Sequence, residues 1–369
     1  METIVYTLGM IILWVLNLVK STGLGHAYHI LEITQILTIA AAVFVLWQQR
    51  RKQGEIIMDK RYFYTLLCMT VLFVGVSLIN GQKMMGLQCL WAFSVVYILA
   101  NTQPERKTLQ LVGFCYAGLG LAILVIFNYM DILDGWNANS IAMIGLFSYL
   151  VFIIPYYGSR DMKSFLMLTL AGAAYVFLLW KTESRSCVIA IILSLVLTFR
   201  VLSIEKLMAS RPKILISLFV PLLVVILVCL LSLLGNVTGW DEWSLETFGK
   251  PIFNGRDTTW LAGLSNLRHQ FLLGDGVVNS GYWHNSALTC LLAYGAVGYG
   301  LWLRLHYLML SDTIPYQADI CVQGCVTAFV IIFWQQSVEL GLFAENPNLI
   351  PYAILGIMLG RCNYLGEEL

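Results

Sequence analysis

Three short stretches of the chain place an arginine or a histidine among small polar residues beside long apolar runs. Arg185 lies in T-E-S-R-S, Arg256 in N-G-R-D, and His284 in Y-W-H-N. A guanidinium group can bind phosphate through two hydrogen bonds, and an imidazole can accept a proton from a hydroxyl group near neutral pH. These residues could therefore hold a diphosphate and activate an attacking hydroxyl. The alternative for each is a cation or a ring that lies at a membrane–water boundary.

The composition decides which kind of protein must position these residues. Of the 369 residues, 59% are hydrophobic and only 12% are charged, and the mean hydropathy is +0.77. A soluble domain carries about 25% charged residues. The composition therefore predicts an all-α integral membrane protein with many spans. The net charge of +1 gives no reason to expect a nucleic-acid partner.

Helices that cross a bilayer need about 20 predominantly apolar residues. Twelve segments meet or approach this length, and we expect them to form one membrane domain over residues 1–369. They lie near 4–19, 30–48, 62–79, 85–100, 109–127, 139–157, 164–180, 187–203, 213–234, 284–303, 319–338 and 349–362. The first residues lack the basic region and the cleavage site of a signal peptide, so the first segment is predicted to be an uncleaved span.

The distribution of basic residues predicts the orientation of these twelve spans. Alternate loops contain fifteen of the 22 lysines and arginines, which marks that side, with both termini, as cytoplasmic. These fifteen are Arg50, Arg51, Lys52, Lys60, Arg61, Arg106, Lys107, Arg160, Lys163, Arg200, Lys206, Arg211, Lys213, Arg304 and Arg361. The outer side is left with Lys20, Lys83, Lys181, Arg185, Lys250, Arg256 and Arg268. Because topology disfavours basic residues outside, these seven need another explanation.

Residues 235–283, between spans nine and ten, form the longest predicted loop. Loops longer than about 12–15 residues are usually functional or disordered, and the many aromatic residues of this one argue against disorder. The stretch 257–276 predicts an amphipathic helix with Asp257 as its N-cap and a glycine turn at its end. Its apolar face comprises Trp260, Leu261, Leu264, Leu267 and Phe271. We expect this helix to lie on the membrane surface or to cover a cavity.

An arginine at a helix N-terminus, as predicted for Arg256, is unfavourable unless an anion binds there. The outer face as a whole collects Arg185, Arg256, Arg268, His269 and His284, with Lys181 nearby. This set suggests a lipid substrate that carries a diphosphate and an acceptor that carries a hydroxyl. Outer acidic residues are alternative bases: Glu183, Asp241, Glu242, Glu246, Asp257, Asp275, Glu339 and Glu345. No cysteine or histidine spacing indicates a metal site.

Four ordered motifs resemble the O-antigen ligase and O-antigen polymerase superfamily of bacterial envelope glycosyltransferases. They are T-E-S-R-S at the outer end of a span, N-G-R-D-T-T-W in the long loop, a G-D-G turn, and H-N-S-A-L-T-C-L-L-A-Y-G-A-V-G at the next span. The segment N-A-N-S-I-A (137–142) is similar to a further element of that family. The motifs that carry the resemblance lie within residues 137–300.

The resemblance implies a fold like that of the C-type glycosyltransferases and a site on the outer leaflet of the bacterial cytoplasmic membrane. The implied donor is a glycan on polyprenyl diphosphate, and the acceptor is a glycan or a lipid. Arg185 and Arg256 would hold the diphosphate, and His284 would activate the acceptor hydroxyl, with inversion and without a metal or a cofactor. Additional candidates are Arg268, His269, Asn285 and Lys181, although Arg268 and His269 are more typical of structural residues.

Several functions remain open from the sequence. We expect a polymerase that joins polyprenyl-linked repeat units. The alternatives are a ligase that transfers the finished glycan to a lipid or cell-wall acceptor, and a flippase or other transporter. A transporter would place charged residues or broken helices near the bilayer midplane, whereas these candidates cluster at one face. His26, His29 and His306 are interpreted as interfacial residues without a role.

Overall fold

A computed structural model describes residues 2–21, 29–51, 60–82, 85–102, 104–130, 136–235, 237–249, 251–268, 270–345 and 347–367. His26, Lys52, Lys83, Lys250 and His269 lie outside these ranges.

All regular secondary structure in these ranges is helical. The helices are α1 (Glu2–Ser21), α2 (Ile30–Arg51), α3 (Lys60–Ile79), α4 (Met85–Ala100), α5 (Arg106–Tyr129), α6 (Ala138–Ile153), α7 (Met162–Lys181), α8 (Arg185–Thr198), α9 (Ile204–Met208), α10 (Arg211–Leu233), α11 (Val237–Phe248), α12 (Arg256–Leu267), α13 (Ser280–Trp283), α14 (Ser286–Ser311), α15 (Ile320–Gln335) and α16 (Leu349–Glu367). Short 3₁₀ turns lie at Ile154–Tyr156 and Ile314–Tyr316.

The helices confirm an all-α membrane protein. Eight helices of the described ranges are long and apolar enough to cross a membrane, and three shorter ones are apolar over 10–17 residues. A helix overlaps each of the twelve predicted segments, although α8 ends at Thr198 rather than near 203. The large apolar side chains of α2 are mostly exposed, as expected for a helix that faces lipid.

Helix α6 is the centre of the bundle. Every side chain from 141 to 153 is buried. The polar groups along it are paired, because Trp14 Nε1 donates to Ser148 Oγ over 2.8 Å and Tyr149 Oη donates to the Leu168 carbonyl over 3.2 Å. Pairing of this kind removes the cost of burying hydroxyl and indole groups in an apolar interior.

Polar contacts define the two ends of the bundle. At the first, called the Asp319 end, Arg361 forms an ion pair with Asp319 at 2.8 Å, and Arg200 Nη2 donates to Gln323 Oε1 over 3.2 Å. At the opposite end, called the Arg185 end, Ser186 Oγ donates to Glu339 Oε1 over 3.1 Å. The chain passes from one end to the other along each long helix.

Helix α14 is interrupted at Gly295, where φ is 65° and ψ is −171°. The loop segment 271–276 closes this break through backbone hydrogen bonds in both directions. The N–H groups of Ala296 and Val297 donate to the carbonyls of residues 271 and 272, over 2.8 and 3.2 Å. In return, the N–H groups of residues 275 and 276 donate to the carbonyls of Leu292 and Ala293. The break therefore leaves few helix-end groups unpaired and ties the long loop to α14.

The predicted loop helix is only partly correct. Helix α12 ends at Leu267, and its N-cap is Gly255 rather than Asp257, whose carboxylate instead accepts a hydrogen bond from Ser232 Oγ. Trp260 is buried in a small apolar cluster with the neighbouring leucines of its face, as predicted, whereas Phe271 is exposed. The helix ends early because residues 271–276 instead form backbone hydrogen bonds with the groups that the break in α14 would leave unpaired.

Helices α16 and α4 pack closely through two glycines. A Cβ atom at Gly356 would lie 2.8 Å from the Val96 carbonyl oxygen, and one at Gly360 would lie 2.9 Å from that of Leu99. This close contact is typical of a G-x-x-x-G pair, whose glycines let two helix backbones approach each other.

We expect the Gly295→Ala variant to be strongly destabilised. The backbone conformation of Gly295 is essentially restricted to glycine and costs other residues about 1–3 kcal/mol, and the new Cβ would lie 2.2 Å from the Leu272 backbone carbon. Gly300→Ala, in the same helix, meets nothing within 4 Å and should stabilise by about 0.5–1 kcal/mol. Thermal unfolding of both variants in detergent measures the difference. Equal unfolding midpoints for the two variants would contradict the view that the break at Gly295 stabilises the fold.

Candidate functional site

Helices α8 and α15 are two of the three apolar helices of the described ranges that are shorter than the thickness of a bilayer's hydrocarbon core. Helix α8 has 14 residues and α15 has 16, so they extend about 21 and 24 Å. The hydrocarbon core of a bilayer is about 30 Å thick. Both helices stop at the Arg185 end, where Gln335 Nε2 lies 3.8 Å from Cys187 Sγ. The candidate site residues Arg185, Ser186 and Glu339 lie at this end of the bundle.

Arg185 is the first residue of α8 and fixes the long loop to the bundle. Its Nη2 donates to the carbonyl of Pro251 over 3.0 Å, and its Nη1 donates to Ser244 Oγ over 3.4 Å. The guanidinium group also borders a groove of about 520 Å³ that is lined by the ends of α7 and α8 and by residues 247 and 249. Arg185 is thus partly buried and held in one orientation beside an open space.

Arg256 is the first residue of α12, and the left-handed conformation of Gly255 turns the chain into that helix. Burial lowers the pKa of Arg256, the charge of Glu339 raises it, and the charge of Arg185 lowers it further. A guanidinium group stays protonated in any of these surroundings. These influences show that Arg256 lies close enough to both residues for their charges to interact.

His284 occupies the turn between α13 and α14, with φ at 47°. Its Nδ1 atom is buried and has no hydrogen-bond partner among the described residues. Burial lowers the pKa of His284, and the charge of Arg256 lowers it further. The imidazole is therefore neutral near pH 7 and can accept a proton. The left-handed backbone of a non-glycine residue is a strained conformation of the kind found at functional sites.

Asn285 holds His284 in place. Its Oδ1 accepts a hydrogen bond from the Leu288 N–H over 2.8 Å, which caps α14. Its Nδ2 donates to the carbonyl of Pro221 over 3.1 Å and to that of Ser337 over 2.8 Å. The side chain is fully buried, so Asn285 acts as a positioning residue that joins α10, α14 and the end of α15.

Glu339 is a site residue that was not selected from the sequence, where it was only one of several outer carboxylates. The side chain is only 6% exposed and accepts a hydrogen bond from Ser186. Burial raises the pKa of Glu339, and this effect exceeds the opposite effects of Arg256 and Ser186. Its position after a span, in the polar run Q-Q-S-V-E, was the available signal.

A buried hydrogen-bond network connects the start of α14 to the segment that carries Glu339. Ser286 Oγ donates to Gln336 Oε1 over 2.8 Å, and Gln336 Nε2 donates to Gln335 Oε1 over 2.8 Å. The N–H of Leu342 also donates to Gln336 Oε1, over 3.0 Å. Paired polar networks in an interior give side chains a single arrangement, so the segment that carries Glu339 is fixed relative to α14.

The remaining candidates lie at the periphery or elsewhere. Lys181 is exposed, with Nζ 4.0 Å from the ring centroid of Tyr129, and it borders the same groove as Arg185. Arg268 is exposed at the end of α12. His269 lies outside the described residues. The interfacial interpretation of His306 is wrong, because its ring is fully buried and stacks on Phe329 inside the bundle.

The structure thus brings Arg185, Arg256, His284 and Glu339 into one electrostatically coupled group. The group offers two guanidinium cations, of which Arg185 is held by hydrogen bonds, together with one neutral imidazole and one buried carboxyl group. Such a set can bind an anion with several oxygens and take a proton from a nearby hydroxyl. Comparison of the chain with protein-family models, curated proteins and solved structures finds no match.

Replacing Arg256 with Gln should raise the pKa of His284, because the neighbouring positive charge that disfavours the imidazolium is removed. The pH at which diethyl pyrocarbonate modification of His284 is half-maximal, followed by mass spectrometry of the peptide, reports this pKa. Arg268→Gln removes the same charge from the exposed end of the same helix and should leave the midpoint unchanged. An identical midpoint in the Arg256 variant would mean that the two residues do not interact.

Proposed function

We propose that this protein is a glycosyltransferase that polymerises polyprenyl-diphosphate-linked oligosaccharide repeat units on the outer leaflet of a bacterial cytoplasmic membrane. The observation that carries the proposal is the electrostatic coupling of Arg256 to Arg185, His284 and Glu339 at one end of the bundle. Arg256 thus interacts through its charge with both of the other side chains that are expected to meet a diphosphate or a hydroxyl.

The proposed orientation follows from the sequence and agrees with the two ends of the bundle. Twelve helices would cross the membrane, with α4, α8 and α15 as short spans and with both termini in the cytoplasm. The Asp319 end would then be cytoplasmic and the Arg185 end external. The resulting architecture would resemble that of C-type glycosyltransferases, with the residues 235–283 loop outside.

The proposed reaction depends on charge that develops on the leaving group. Attack of an acceptor hydroxyl on the anomeric carbon breaks the bond to the polyprenyl diphosphate and inverts the configuration. Negative charge then accumulates on the diphosphate oxygens, and fixed cations in a partly water-excluded site stabilise it. Arg185 and Arg256 supply these cations without a metal or a cofactor.

His284 and Glu339 have different roles in the removal of the hydroxyl proton. The neutral imidazole of His284 accepts the hydroxyl proton, and its Nδ1 is free of competing partners among the described residues. Glu339 compensates part of the positive charge of Arg256, and this limits how far the arginine suppresses the basicity of His284. In its ionised form Glu339 is also a second base at the same site.

The cluster at one end distinguishes this proposal from a transporter. A carrier needs charged or unwound helix positions near the midplane and a bundle that can rock around them. The two arginines, His284 and Glu339 instead lie at helix ends and in the connecting segments. Transfer to another lipid or to a cell-wall acceptor uses the same donor chemistry, so only the product separates a ligase from a polymerase.

We expect Arg185→Ala, Arg256→Ala and His284→Ala each to reduce glycan transfer by about 10²-fold or more, because each removes a group that acts in the transition state. The assay incubates purified protein with lipid-linked repeat units and separates the glycans on a gel. A ladder identifies a polymerase, a single shift onto a new lipid identifies a ligase, and label that crosses vesicles without transfer identifies a carrier.

The matched control is Arg268→Ala, which removes an exposed arginine from the far end of α12. It should retain activity within about threefold, because exposed side chains away from the site have small effects. All variants should insert and elute as the wild type does. Full-length polymer from the three site variants would exclude the assignment.

The glycan-transfer activity should fall at acidic pH, which gives the pH profile an acidic limb. Activity needs neutral His284 and ionised Glu339. The pKa of Glu339 is raised, so we expect this group to remain protonated to a higher pH than an ordinary carboxyl group and to contribute to the limb, whereas the lowered pKa of His284 keeps its imidazole neutral to a lower pH than that of an ordinary histidine. Glu339→Gln should move the limb to lower pH and reduce the maximal rate.

Glu345→Gln is the control for this change, because it makes the same substitution at an exposed carboxylate of the same segment. Its profile should match that of the wild type. An unchanged limb in Glu339→Gln would show that this carboxyl group does not titrate in the reaction.

A further inference from the structure

Two neighbouring cavities at the Asp319 end take no part in the proposed reaction. The first is a polar pocket of about 330 Å³ at the ends of α3, α4, α10, α14 and α16. The second is an apolar groove of about 340 Å³ between α2, α3 and α4. Tyr97 lines both cavities, so the polar pocket and the apolar groove adjoin.

The polar pocket contains an unused hydrogen-bonding group. Ser311 lines it and is only 8% exposed, and its Oγ has no hydrogen-bond partner among the described residues. A buried hydroxyl without a partner costs about 1–3 kcal/mol. A hydroxylated or phosphorylated ligand in the pocket would satisfy it.

Charge at the two cavities favours an anion. Asp312 is the carboxylate of the polar pocket, and it already accepts a hydrogen bond from Tyr62 and lies 4.0 Å from Arg61. Arg211, which begins α10, lines the polar pocket, and Lys60 lines the groove. Neither of these two cations forms an ion pair with a described carboxylate, so each of their positive charges can bind an anion.

We propose that these cavities together bind one anionic glycerophospholipid whose headgroup carries hydroxyl groups. An acyl chain lies in the groove among Leu66, Leu90 and Phe93, and the phosphate lies between Lys60 and Arg211. The headgroup hydroxyls reach Ser311 and the other polar groups of the pocket. This combination fits a molecule with an apolar chain, one negative charge and hydrogen-bonding groups beyond the charge, and it does not depend on the function of the opposite end.

The test measures lipid binding to the delipidated protein. Phosphatidylglycerol or phosphatidylcholine is added in detergent micelles, and bound lipid is counted by native mass spectrometry while thermal unfolding reports stabilisation. We expect one retained phosphatidylglycerol and a larger thermal shift with this lipid than with phosphatidylcholine. Equal retention and equal shifts for the two lipids would overturn the proposal.

Arg211→Gln should weaken phosphatidylglycerol binding about fivefold, the change expected for one basic residue near an anionic lipid. Lys213→Gln removes the same charge on the same helix turn but lines neither cavity, and its amine donates to the Lys206 carbonyl. It should bind as the wild type does. Equal loss in both variants would mean that surface charge alone attracts the lipid and would overturn the site.

Ser311→Ala separates binding from folding. Without lipid this variant should be at least as stable as the wild type, because it removes a buried hydroxyl that has no hydrogen-bond partner among the described residues. With phosphatidylglycerol its thermal shift should be smaller than that of the wild type. A shift equal to that of the wild type would show that the headgroup does not enter the pocket.

Soluble glycerol phosphate tests the need for the acyl chain. It should bind at least tenfold more weakly than phosphatidylglycerol, because it leaves the apolar groove empty. Similar affinity would assign the polar pocket to a soluble phosphate compound and overturn the lipid proposal.

Discussion

Two guanidinium groups and one carboxyl group share a partly buried space, and the balance among their charges constrains the rest of the structure. Burial strengthens both the repulsion between Arg185 and Arg256 and the attraction of Arg256 to Glu339. One carboxyl group cannot neutralise two arginines, so the site has an excess of positive charge. A bound anion with several oxygens would remove that excess, whereas an empty site must be held together by its surroundings.

Backbone groups and neutral side chains supply much of that support. Arg185 binds the Pro251 carbonyl, and Ser186 binds the carboxyl group of Glu339. The long loop cannot move away freely, because its segment 271–276 completes the backbone hydrogen bonds of α14 at Gly295. The positions of the charges therefore depend on neutral partners, and the backbone hydrogen bonds at Gly295 among them do not change with pH.

The sequence predicted the helical fold and the twelve helix positions well. A long apolar segment in a membrane must pair its own backbone groups, and an α-helix does this within the segment. The selection of Arg185, Arg256 and His284 as site residues stays a prediction, because it rests on the unusual placement of two arginines and a histidine in the loops that the sequence assigns to the outer side. The sequence failed for the end of the loop helix and for Glu339. The backbone exchange at Gly295 joins segments that are distant in the chain, and the proximity of Glu339 to Ser186 exists only after α8 and α15 pack together. Neither arrangement corresponds to a local pattern in the sequence, so neither could be predicted from it.

The way in which Asn285 is held bears on whether this end of the bundle can move as a carrier must. Its side chain connects the start of α14 to the carbonyl of Pro221 within α10 and to that of Ser337 beyond α15. The proline leaves the Ser217 carbonyl without its usual helical donor, and Trp334 Nε1 of α15 donates to that carbonyl over 3.1 Å. Helices α10, α14 and α15 are therefore joined through backbone carbonyls near the Arg185 end. Rocking of one helix against another would break these bonds in an environment with little water to replace them. These bonds favour a fixed arrangement at one end of the bundle, which suits the proposed glycosyl transfer better than the movements that a carrier would need.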